Sequence, residues 1–342
     1  MHVKTDPGVT SIEIVENKIS DTFLEVIIYV PYTSFSFIKL CSFYKGYLKG
    51  FKLIKKKQGP ISLYHIHVAS WVGIWALFSS IFKNKKYIVS EHSSKYLQTK
   101  KRNTISTYFS CLLFNKSAIV LPVSQTLSDG LTSFGVTVSK RKIIGNVVDF
   151  NTFSIQSKNV VPLKKQFIHI STGDSKSKNV AGIIEAVYQL SKRRTDFTLK
   201  IICDGDITPL HKLARSYQLL NTQVFFSGTC DSEEICSALN DSIALLMFSN
   251  YETFGIVVVE ALACGIPVIA TDIPAMKELI SNPTGILVNP KDIIGLVSAM
   301  EKTLNQAQYF EPQLLRESVM NKFDCSIIGT KFKDIYTELI HH

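Results

Sequence analysis

Residues 250–273 have the sequence NYETFGIVVVEALACGIPVIATDI. The apolar run Ala244–Phe248 precedes them and predicts a strand, and the polar stretch Asn250–Thr253 predicts a turn. The apolar run that follows predicts a helix ending at Gly265, because glycine favours the backbone conformation that closes a helix. Pro267 then opens a further strand. This order of strand, turn, helix and strand is typical of a parallel β-sheet covered by helices.

The same alternation extends along the chain on both sides of this unit. In the second half we predict strands at Phe167–Ser171, Leu199–Cys203, Val224–Ser227, Ala244–Phe248, Pro267–Thr271 and Gly285–Val288. The helices between them are predicted at Val180–Arg193, Leu210–Leu219, Glu233–Leu239, Phe254–Cys264 and Ala275–Ile280. In the first half we predict strands at Glu25–Tyr29, Leu63–Ile66, Tyr87–Ser90 and Ile119–Val123. The sequence therefore predicts an α/β fold of two doubly wound domains, with a ligand cleft outside the carboxyl ends of the strands.

The helix that follows Thr253 begins at the carboxyl edge of the predicted sheet. The first N–H groups of a helix have no partner within the helix and carry partial positive charge. The N–H groups near Phe254, Gly255 and Ile256 therefore face the predicted cleft and suit an anion, for which a phosphate is the obvious candidate.

Two acidic residues lie at this helix. Every residue from Ile256 to Cys264 is apolar except Glu260, and a buried carboxylate is costly unless it has a partner. A vicinal diol such as a ribose would donate two hydrogen bonds to it, and a salt bridge to a lysine of the same domain is the alternative. Glu252 lies in the polar turn, where an acid favoured by the helix dipole is the structural alternative to a functional role.

Positive charge is concentrated in the first part of the chain. Residues 1–150 carry 20 Lys and Arg against 8 Asp and Glu, and residues 151–342 carry 18 against 20. Part of the excess lies where apolar residues separate the lysines, as on a basic amphipathic helix: Lys45, Lys49, Lys52, Lys55, Lys56 and Lys57. Such a helix suits an anionic membrane surface, and a solvated face that aids solubility is the alternative. No zinc-finger, stacking-aromatic or arginine-rich signature accompanies the lysines, so nucleic acid is not an expected partner.

The remaining global features indicate a globular protein of the cytoplasm, with peripheral attachment to the inner face of the membrane if the lysines bind lipid. The seven cysteines are scattered and never in Cys-x-x-Cys spacing, which indicates free thiols rather than a zinc site or disulfides. The first ten residues lack the apolar core of a secretory signal. The longest apolar stretch, Val68–Phe82, is short for a membrane span, so we predict a buried helix there.

The residues around the quoted stretch resemble a known signature. Glu252 and Glu260, Phe254-Gly255 and the run Glu260–Ala270 look like the signature of the family 4 glycosyltransferases of the GT-B fold, the glycosyl transferases group 1. Further segments that resemble motifs of this family are Ile144–Asp149, Lys178-Asn179, Cys203–Asp206, Phe226–Gly228, His65–His67 and Glu91–Ser93. The resemblance extends through most of the chain.

The resemblance implies a retaining glycosyltransferase that moves a sugar from a UDP- or GDP-sugar to a glycan or lipid-linked saccharide acceptor. Cell-surface polysaccharide biosynthesis is the implied process, and neither a metal nor another cofactor is expected for the chemistry. An inactive or truncated remnant that binds a nucleotide-sugar without turnover is the alternative. A dinucleotide oxidoreductase is disfavoured because no Gly-x-Gly-x-x-Gly follows a predicted strand.

The resemblance also implies roles for single residues. Glu260 would bind the ribose, Glu252 would contact the transferred sugar and Lys178 would neutralise the diphosphate. The implied catalytic residues are His92, Glu252 and Lys178. The implied donor-binding residues are Glu260, Phe254, Gly255, Ile256, Gly173, Lys176, Asp204 and Gly228. The implied acceptor-side residues are His67, Ser93 and Asn146. For either histidine, a satisfied structural residue at a strand end is the alternative.

The sequence departs from the family pattern in two places. Gly173 stands where many relatives have an arginine, and Lys176 is the candidate replacement for its charge, without the two-pronged geometry of a guanidinium. Family members usually open with a strand, a glycine-rich loop and a helix, and no such unit precedes Val26. We therefore expect the chain to be shortened at its amino terminus, which puts activity in question.

The domain boundaries follow from the resemblance and from a polar stretch without a strong period near residues 151–165. Residues 1–155 are predicted to form the acceptor-side domain, and residues 156–325 the donor-binding domain. Residues 326–342 are predicted to form a carboxyl-terminal helix that packs back on the first domain.

Overall fold

The structure is a computed structural model that describes residues 1–6, 8–20, 24–32, 36–69, 73–98, 105–156, 164–172, 175–306 and 310–341. Its strands are β1 (His2–Asp6), β2 (Glu13–Lys18), β3 (Leu24–Pro31), β4 (Leu63–His67), β5 (Lys86–Glu91), β6 (Ile119–Pro122), β7 (Lys165–Ser171), β8 (Phe197–Cys203), β9 (Val224–Ser227), β10 (Ser242–Met247), β11 (Val268–Thr271) and β12 (Gly285–Val288). Its helices are α1 (Ser36–Gln58), α2 (Ile74–Lys83), α3 (Ile105–Asn115), α4 (Gln125–Phe134), α5 (Ser175–Lys178), α6 (Val180–Ser191), α7 (Thr208–Ser216), α8 (Ser232–Asn240), α9 (Ile256–Ala263), α10 (Pro274–Lys277), α11 (Ile293–Asn305), α12 (Pro312–Phe323) and α13 (Cys325–His341).

The chain divides into two compact units, Met1–Ser62 and Leu63–His342. In the first unit, β3 pairs in parallel with β1 and antiparallel with β2. The side chains of Val26, Ile28 and Val30 on β3 are fully buried, and Leu53 and Ile54 of α1 pack against them. The apolar face of α1 is therefore occupied by its own sheet.

The packing of α1 corrects one feature of the lysine-rich prediction. An amphipathic helix that lies on a membrane inserts its apolar face, and that face of α1 is covered. A Cβ atom added at Gly50 would lie 2.4 Å from Ile28 Cδ1, so the helix and β3 approach closely. The six lysines named above are all exposed. The solvent-facing side of α1 therefore carries a stripe formed by these six lysines, the lysine stripe of α1.

The larger unit contains a six-stranded parallel sheet in the order β12-β11-β10-β7-β8-β9. All six strands predicted for the second half of the chain are present, and the helices between them cover both faces. Strand order reverses direction beside β7 and β10, and a crevice at the carboxyl ends of the strands is the usual ligand site of such a sheet. The predicted α/β architecture with parallel sheets is confirmed.

The same unit contains a second parallel sheet in the order β4-β5-β6. Helix α13 returns to this sheet from the end of the chain, and its Ile328, Ile335 and Leu339 form a buried cluster with Ile88 and Leu121. The domain boundary near residue 155 stays a prediction, since the chain divides at residue 62 by its contacts.

The apolar stretch Val68–Phe82 departs from its prediction as a buried helix. Helix α2 begins only at Ile74, and Phe78, Ile81 and Phe82 are exposed, the last with 68% of its surface accessible. Only one face of α2 packs on the sheet, through Ala76 and Leu77. No helix in the described ranges is long and apolar enough to cross a bilayer.

His169, in the middle of β7, makes the stability of this unit depend on pH. Its side chain is fully buried; Nδ1 donates to the Leu246 carbonyl at 2.8 Å and Nε2 lies 2.9 Å from Ser171 Oγ. Burial lowers the pKa of His169 to about 4. Below pH 6.5, His169 therefore binds a proton in the unfolded chain but not in the folded chain. The folded state loses stability as pH falls towards 4.

We expect the free energy of unfolding to fall by about 1 kcal/mol per pH unit through this histidine between pH 6.5 and 4. Urea unfolding at pH 7, 6 and 5 measures the effect. The His169→Gln variant keeps a donor for the Leu246 carbonyl and should lose this part of the slope. An equal slope in variant and wild type would contradict the assignment.

Candidate functional site

The turn between β10 and α9 is fixed to the segment that carries Lys176 and Lys178. The Asn250 backbone N–H donates to the Ser177 carbonyl at 2.7 Å, and its side-chain amide donates to the Lys176 carbonyl at 2.7 Å. Both segments follow the carboxyl ends of adjacent parallel strands, β7 and β10. The fold thus brings together two motifs that lie more than 70 residues apart in the sequence.

Lys178 and Glu252 form an ion pair at this point. Their side chains are only 17% and 12% exposed, so the charges are largely removed from water. The other carboxylate oxygen of Glu252 accepts a hydrogen bond from the Thr253 N–H at 3.1 Å. The structure places both predicted catalytic residues of the donor side in direct contact, in front of the start of α9.

The start of α9 has the backbone features of an anion-binding site. Gly255 has φ +86°, a conformation that side-chain-bearing residues rarely adopt, and no side chain caps the helix. Phe254 is buried, while Ile256 is 38% exposed. In the part of the chain that the structure describes, the first backbone N–H groups of α9 therefore have no side-chain cap, which leaves them available to an anion.

Glu260 lies one turn further along α9 and is partly buried. Burial raises the pKa of Glu260 to about 7, and within the described ranges its carboxylate has no hydrogen bond or ion pair with the protein. The alternative of a salt bridge to a lysine of the same domain is therefore wrong for the described residues. A carboxylate in this state is suited to accept hydrogen bonds from a ligand.

The other predicted donor-side residues lie along the same edge of the sheet. Asp204 directly follows β8, Gly228 directly follows β9, and Lys176 is exposed on α5. A Cβ atom at Gly228 would meet nothing within 4 Å, so the space above it is open. Gly173 lies outside the described residues.

The acceptor-side residues gather at the carboxyl ends of β4 and β5. His92 Nδ1 lies 3.0 Å from the Asn146 side-chain oxygen, an acceptor that matches a proton on Nδ1, and in the neutral ring with that tautomer Nε2 is an acceptor for a substrate hydroxyl. The rings of His67 and His92 are stacked with centroids 6.0 Å apart. The Ser93 hydroxyl accepts from the Lys95 N–H and starts a short 3-10 turn.

His65 stands behind this pair and has a structural part in it. Its ring nitrogens lie 2.7 Å from the Tyr336 hydroxyl and 2.8 Å from Ser90 Oγ. Burial, with the nearby His67 and His92, lowers the pKa of His65 to about 3. His65 is therefore a neutral residue that ties α13 to the two strands, and no local sequence pattern indicated its partner 271 residues away.

The elements that carry the predicted donor-side and acceptor-side residues meet at Gly145, within the segment Ile144–Asp149 named above, and at Ser124, which no sequence pattern indicated. A Cβ atom at Gly145 would lie 3.0 Å from the Phe254 ring, and the Ser124 hydroxyl donates to the Thr253 carbonyl. The turn that carries Asn146 therefore touches the start of α9. Among the described residues, no group of three His, Cys, Asp or Glu side chains is placed to hold a metal ion.

Comparison with known proteins identifies what this arrangement is similar to. Residues 151–316 match the family model of the glycosyl transferases group 1. The "Uncharacterized 41.2 kDa protein in cps region" of Klebsiella pneumoniae is 26% identical over 331 residues, which cover 94% of this chain and 84% of that protein. The chain spans about half the length of several other curated relatives that it matches.

Two solved structures share the fold. Sucrose-phosphate synthase from Thermosynechococcus elongatus has a TM-score of 0.82 at 21% identity, with 99% of this chain and 88% of that chain covered. HepE from Anabaena, solved in complex with UDP and glucose, has a TM-score of 0.73 at 17% identity, with 91% and 86% covered.

Proposed function

Since the chain belongs to the glycosyl transferases group 1 family and has the GT-B fold, we propose that it transfers a sugar from a nucleotide-sugar, with retention, to a glycan or lipid-linked saccharide. Polysaccharide biosynthesis is the setting that we propose, and the similarity to a Klebsiella pneumoniae protein named for the cps region supports it. UDP-sugars are the first donors to test, because the related fold of HepE was solved with UDP and glucose, and GDP-sugars are the next.

The observation that carries this proposal is the carboxylate of Glu260, which has no partner among the described residues, together with the ion pair of Lys178 and Glu252. A ribose offers two adjacent hydroxyls, which match the two oxygens of one carboxylate. The negative charge of a diphosphate would interact favourably with the α9 N–H groups and with the Lys178 ammonium. One nucleoside diphosphate would therefore engage Glu260, the first N–H groups of α9 and Lys178 together.

The chemistry needs charge to be stabilised on the departing diphosphate. As the bond between the anomeric carbon and the diphosphate oxygen breaks, negative charge grows on that oxygen, and Lys178 with the first N–H groups of α9 would stabilise it. Glu252 would then hold a hydroxyl of the transferred sugar. His92, with Nε2 free to accept, would orient a sugar or acceptor hydroxyl from the opposite side. None of these steps uses a metal ion.

A thermal-shift and donor-hydrolysis screen against UDP-, GDP- and ADP-sugars tests the proposed function, with Glu260→Ala as the comparison variant. We expect one donor to stabilise the wild type and not the variant, and to be slowly hydrolysed. Binding without hydrolysis or transfer to any acceptor would support the nucleotide-sugar-binding remnant instead. No shift with any nucleotide would contradict both.

The lysine stripe of α1 supports a second part of the proposal, that the protein attaches to an anionic membrane surface where lipid-linked acceptors reside. Because the apolar face of α1 is covered, this attachment would be electrostatic, at about 1 kcal/mol for each lysine near the surface. It would therefore weaken with salt.

We expect the triple variant Lys49→Glu, Lys52→Glu and Lys56→Glu to lose binding to vesicles that contain phosphatidylglycerol. Cosedimentation at low and high salt measures it, with pure phosphatidylcholine vesicles as the neutral surface. A matched variant with the same charge change at three other exposed lysines, Lys116→Glu, Lys322→Glu and Lys333→Glu, should retain most binding. Equal loss in both variants would indicate a net-charge effect and contradict a specific role for α1.

A further inference from the structure

Glu91 is the last residue of β5 and is fully buried. One oxygen of its carboxylate accepts from the His92 N–H at 2.9 Å and from the Ser93 N–H at 2.8 Å. The other oxygen accepts from the Ala69 N–H at 2.9 Å. Three backbone donors thus compensate the cost of burying this charge.

These three donors belong to two different loops. Ala69 lies in the loop that follows β4 and His67, and the other two lie in the loop that follows β5. A carboxylate has two oxygens, and each oxygen of Glu91 accepts from the N–H groups of one of the two loops. Glu91 therefore links the loop that directly follows His67 to the loop that carries His92.

The loop after β4 has an unusual backbone at Val68. Its φ of +66° is a true outlier for a β-branched residue, because the side chain clashes with its own backbone in this region. The Val68 N–H donates to the Ser90 carbonyl at 2.8 Å, and the Lys95 ammonium donates to the Ala69 carbonyl at 3.2 Å. Neighbouring contacts therefore hold the loop in a conformation that it would not adopt alone.

The position of the histidine rings depends on these contacts. His67 directly precedes Val68, and His92 directly follows Glu91. Their rings are stacked, and His92 is held on the other side by Asn146. Glu91 is fully buried and therefore does not face a substrate; its carboxylate accepts from three backbone N–H groups, and the buried Tyr96 side chain lies beside it.

We propose that Glu91 is a positioning residue for sugar transfer, which holds the loops of His67 and His92 in the arrangement that the acceptor and the transferred sugar require. This inference rests on the proposed function. It assigns Glu91 no part in donor binding, because the predicted donor-side groups lie at the edge of the six-stranded sheet, whereas Glu91 lies in the sheet β4-β5-β6. Loss of Glu91 should therefore affect transfer much more than donor affinity.

The Glu91→Gln variant tests this separation. Glutamine has one acceptor oxygen and would present an NH₂ group to backbone N–H donors, so at least one loop loses its link. We expect kcat for transfer to fall by about 10- to 100-fold, as for a displaced catalytic group, while donor affinity changes less than about twofold. Glu338→Gln makes the same chemical change at an exposed position and should leave both quantities unchanged.

A second variant keeps the inference testable if Glu91→Gln does not fold. Val68→Gly removes the steric cost of φ +66°, so the protein should be as stable as wild type or more so. Because the loop is then free to leave its arrangement, kcat should still fall severalfold with donor affinity kept. If Glu91→Gln folds, an unchanged kcat in that variant would overturn the proposal, and if it does not fold, an unchanged kcat in Val68→Gly would do so.

Two further outcomes are distinguishable. If kcat and donor affinity fall in parallel with the melting temperature, Glu91 is a general stability residue and the proposal is wrong. If the wild type itself binds no nucleotide-sugar, the proposed function fails, and that result appears before any Glu91 variant is made.

Discussion

Sugar transfer by the Lys178→Ala variant is expected to run about 10²- to 10³-fold more slowly than by the wild type at saturating donor. Lys178 is largely buried beside Glu252 and the uncapped start of α9, where a charge acts more strongly than in water. In the proposed mechanism, its loss removes stabilisation of the negative charge that develops on the leaving diphosphate. Steady-state release of nucleoside diphosphate measures the effect, and Lys212→Ala, at an exposed position of α7, is the matched control.

The ion pair with Glu252 complicates this experiment, because the single variant leaves a mostly buried carboxylate without its partner. The double variant Lys178→Ala and Glu252→Gln removes that charge as well, so its melting temperature should recover while kcat stays low. Recovery of kcat along with stability would mean that the pair has a structural role only. A kcat for Lys178→Ala within threefold of wild type, at equal stability, would exclude the phosphate role.

Donor affinity is expected to weaken as pH falls through 7, because burial raises the pKa of Glu260 to about 7 and the proposed contact with the ribose needs the ionised carboxylate. Below pH 7, binding must release the proton from Glu260, so the apparent Kd rises by up to about tenfold per pH unit. An intact nucleotide-sugar is the ligand to use, since its diphosphate does not titrate in this range. Calorimetry between pH 8 and 5.5 measures the dependence.

The Glu260→Gln variant has no proton to release and should show a weaker affinity that does not change with pH. Glu233→Gln, at an exposed position of α8, should behave as wild type. A pH dependence that persists unchanged in Glu260→Gln would assign it to another group and contradict this account.

The donor side could be predicted from the sequence because its signals are local. The strand, turn and helix around Glu252 and Glu260 lie within 24 residues, and apolar periodicity with Gly265 and Pro267 delimits them. The sequence left open whether Glu260 or Glu252 pairs with a lysine. Only the tertiary structure decides which carboxylate meets a lysine.

The acceptor side was less predictable because its contacts join distant segments. Glu91 looks like any acidic residue at the end of an apolar strand, and its role depends on a donor 22 residues away on another loop. His65 depends on Tyr336, at the far end of the chain. No periodicity encodes such pairs.

Helices α1 and α2 show a related limit. Both contain enough apolar residues to predict burial or membrane contact, yet hydropathy does not tell which face meets a sheet. In α1 the sheet covers the apolar face and leaves lysines outside, whereas in α2 aromatic residues remain exposed. The neighbouring strands determine this outcome.

The most direct test of the central claim is a comparison of the preferred nucleotide-sugar with its 2′-deoxy and 3′-deoxy analogues, by calorimetry at pH 8, in wild type and Glu260→Ala. Because Glu260 is proposed to accept from both ribose hydroxyls, the wild type should bind each analogue about 10- to 100-fold more weakly than the parent donor. The variant should bind all three with the same low affinity. Equal binding of the parent and both analogues by the wild type, or undiminished discrimination by the variant, would contradict the account.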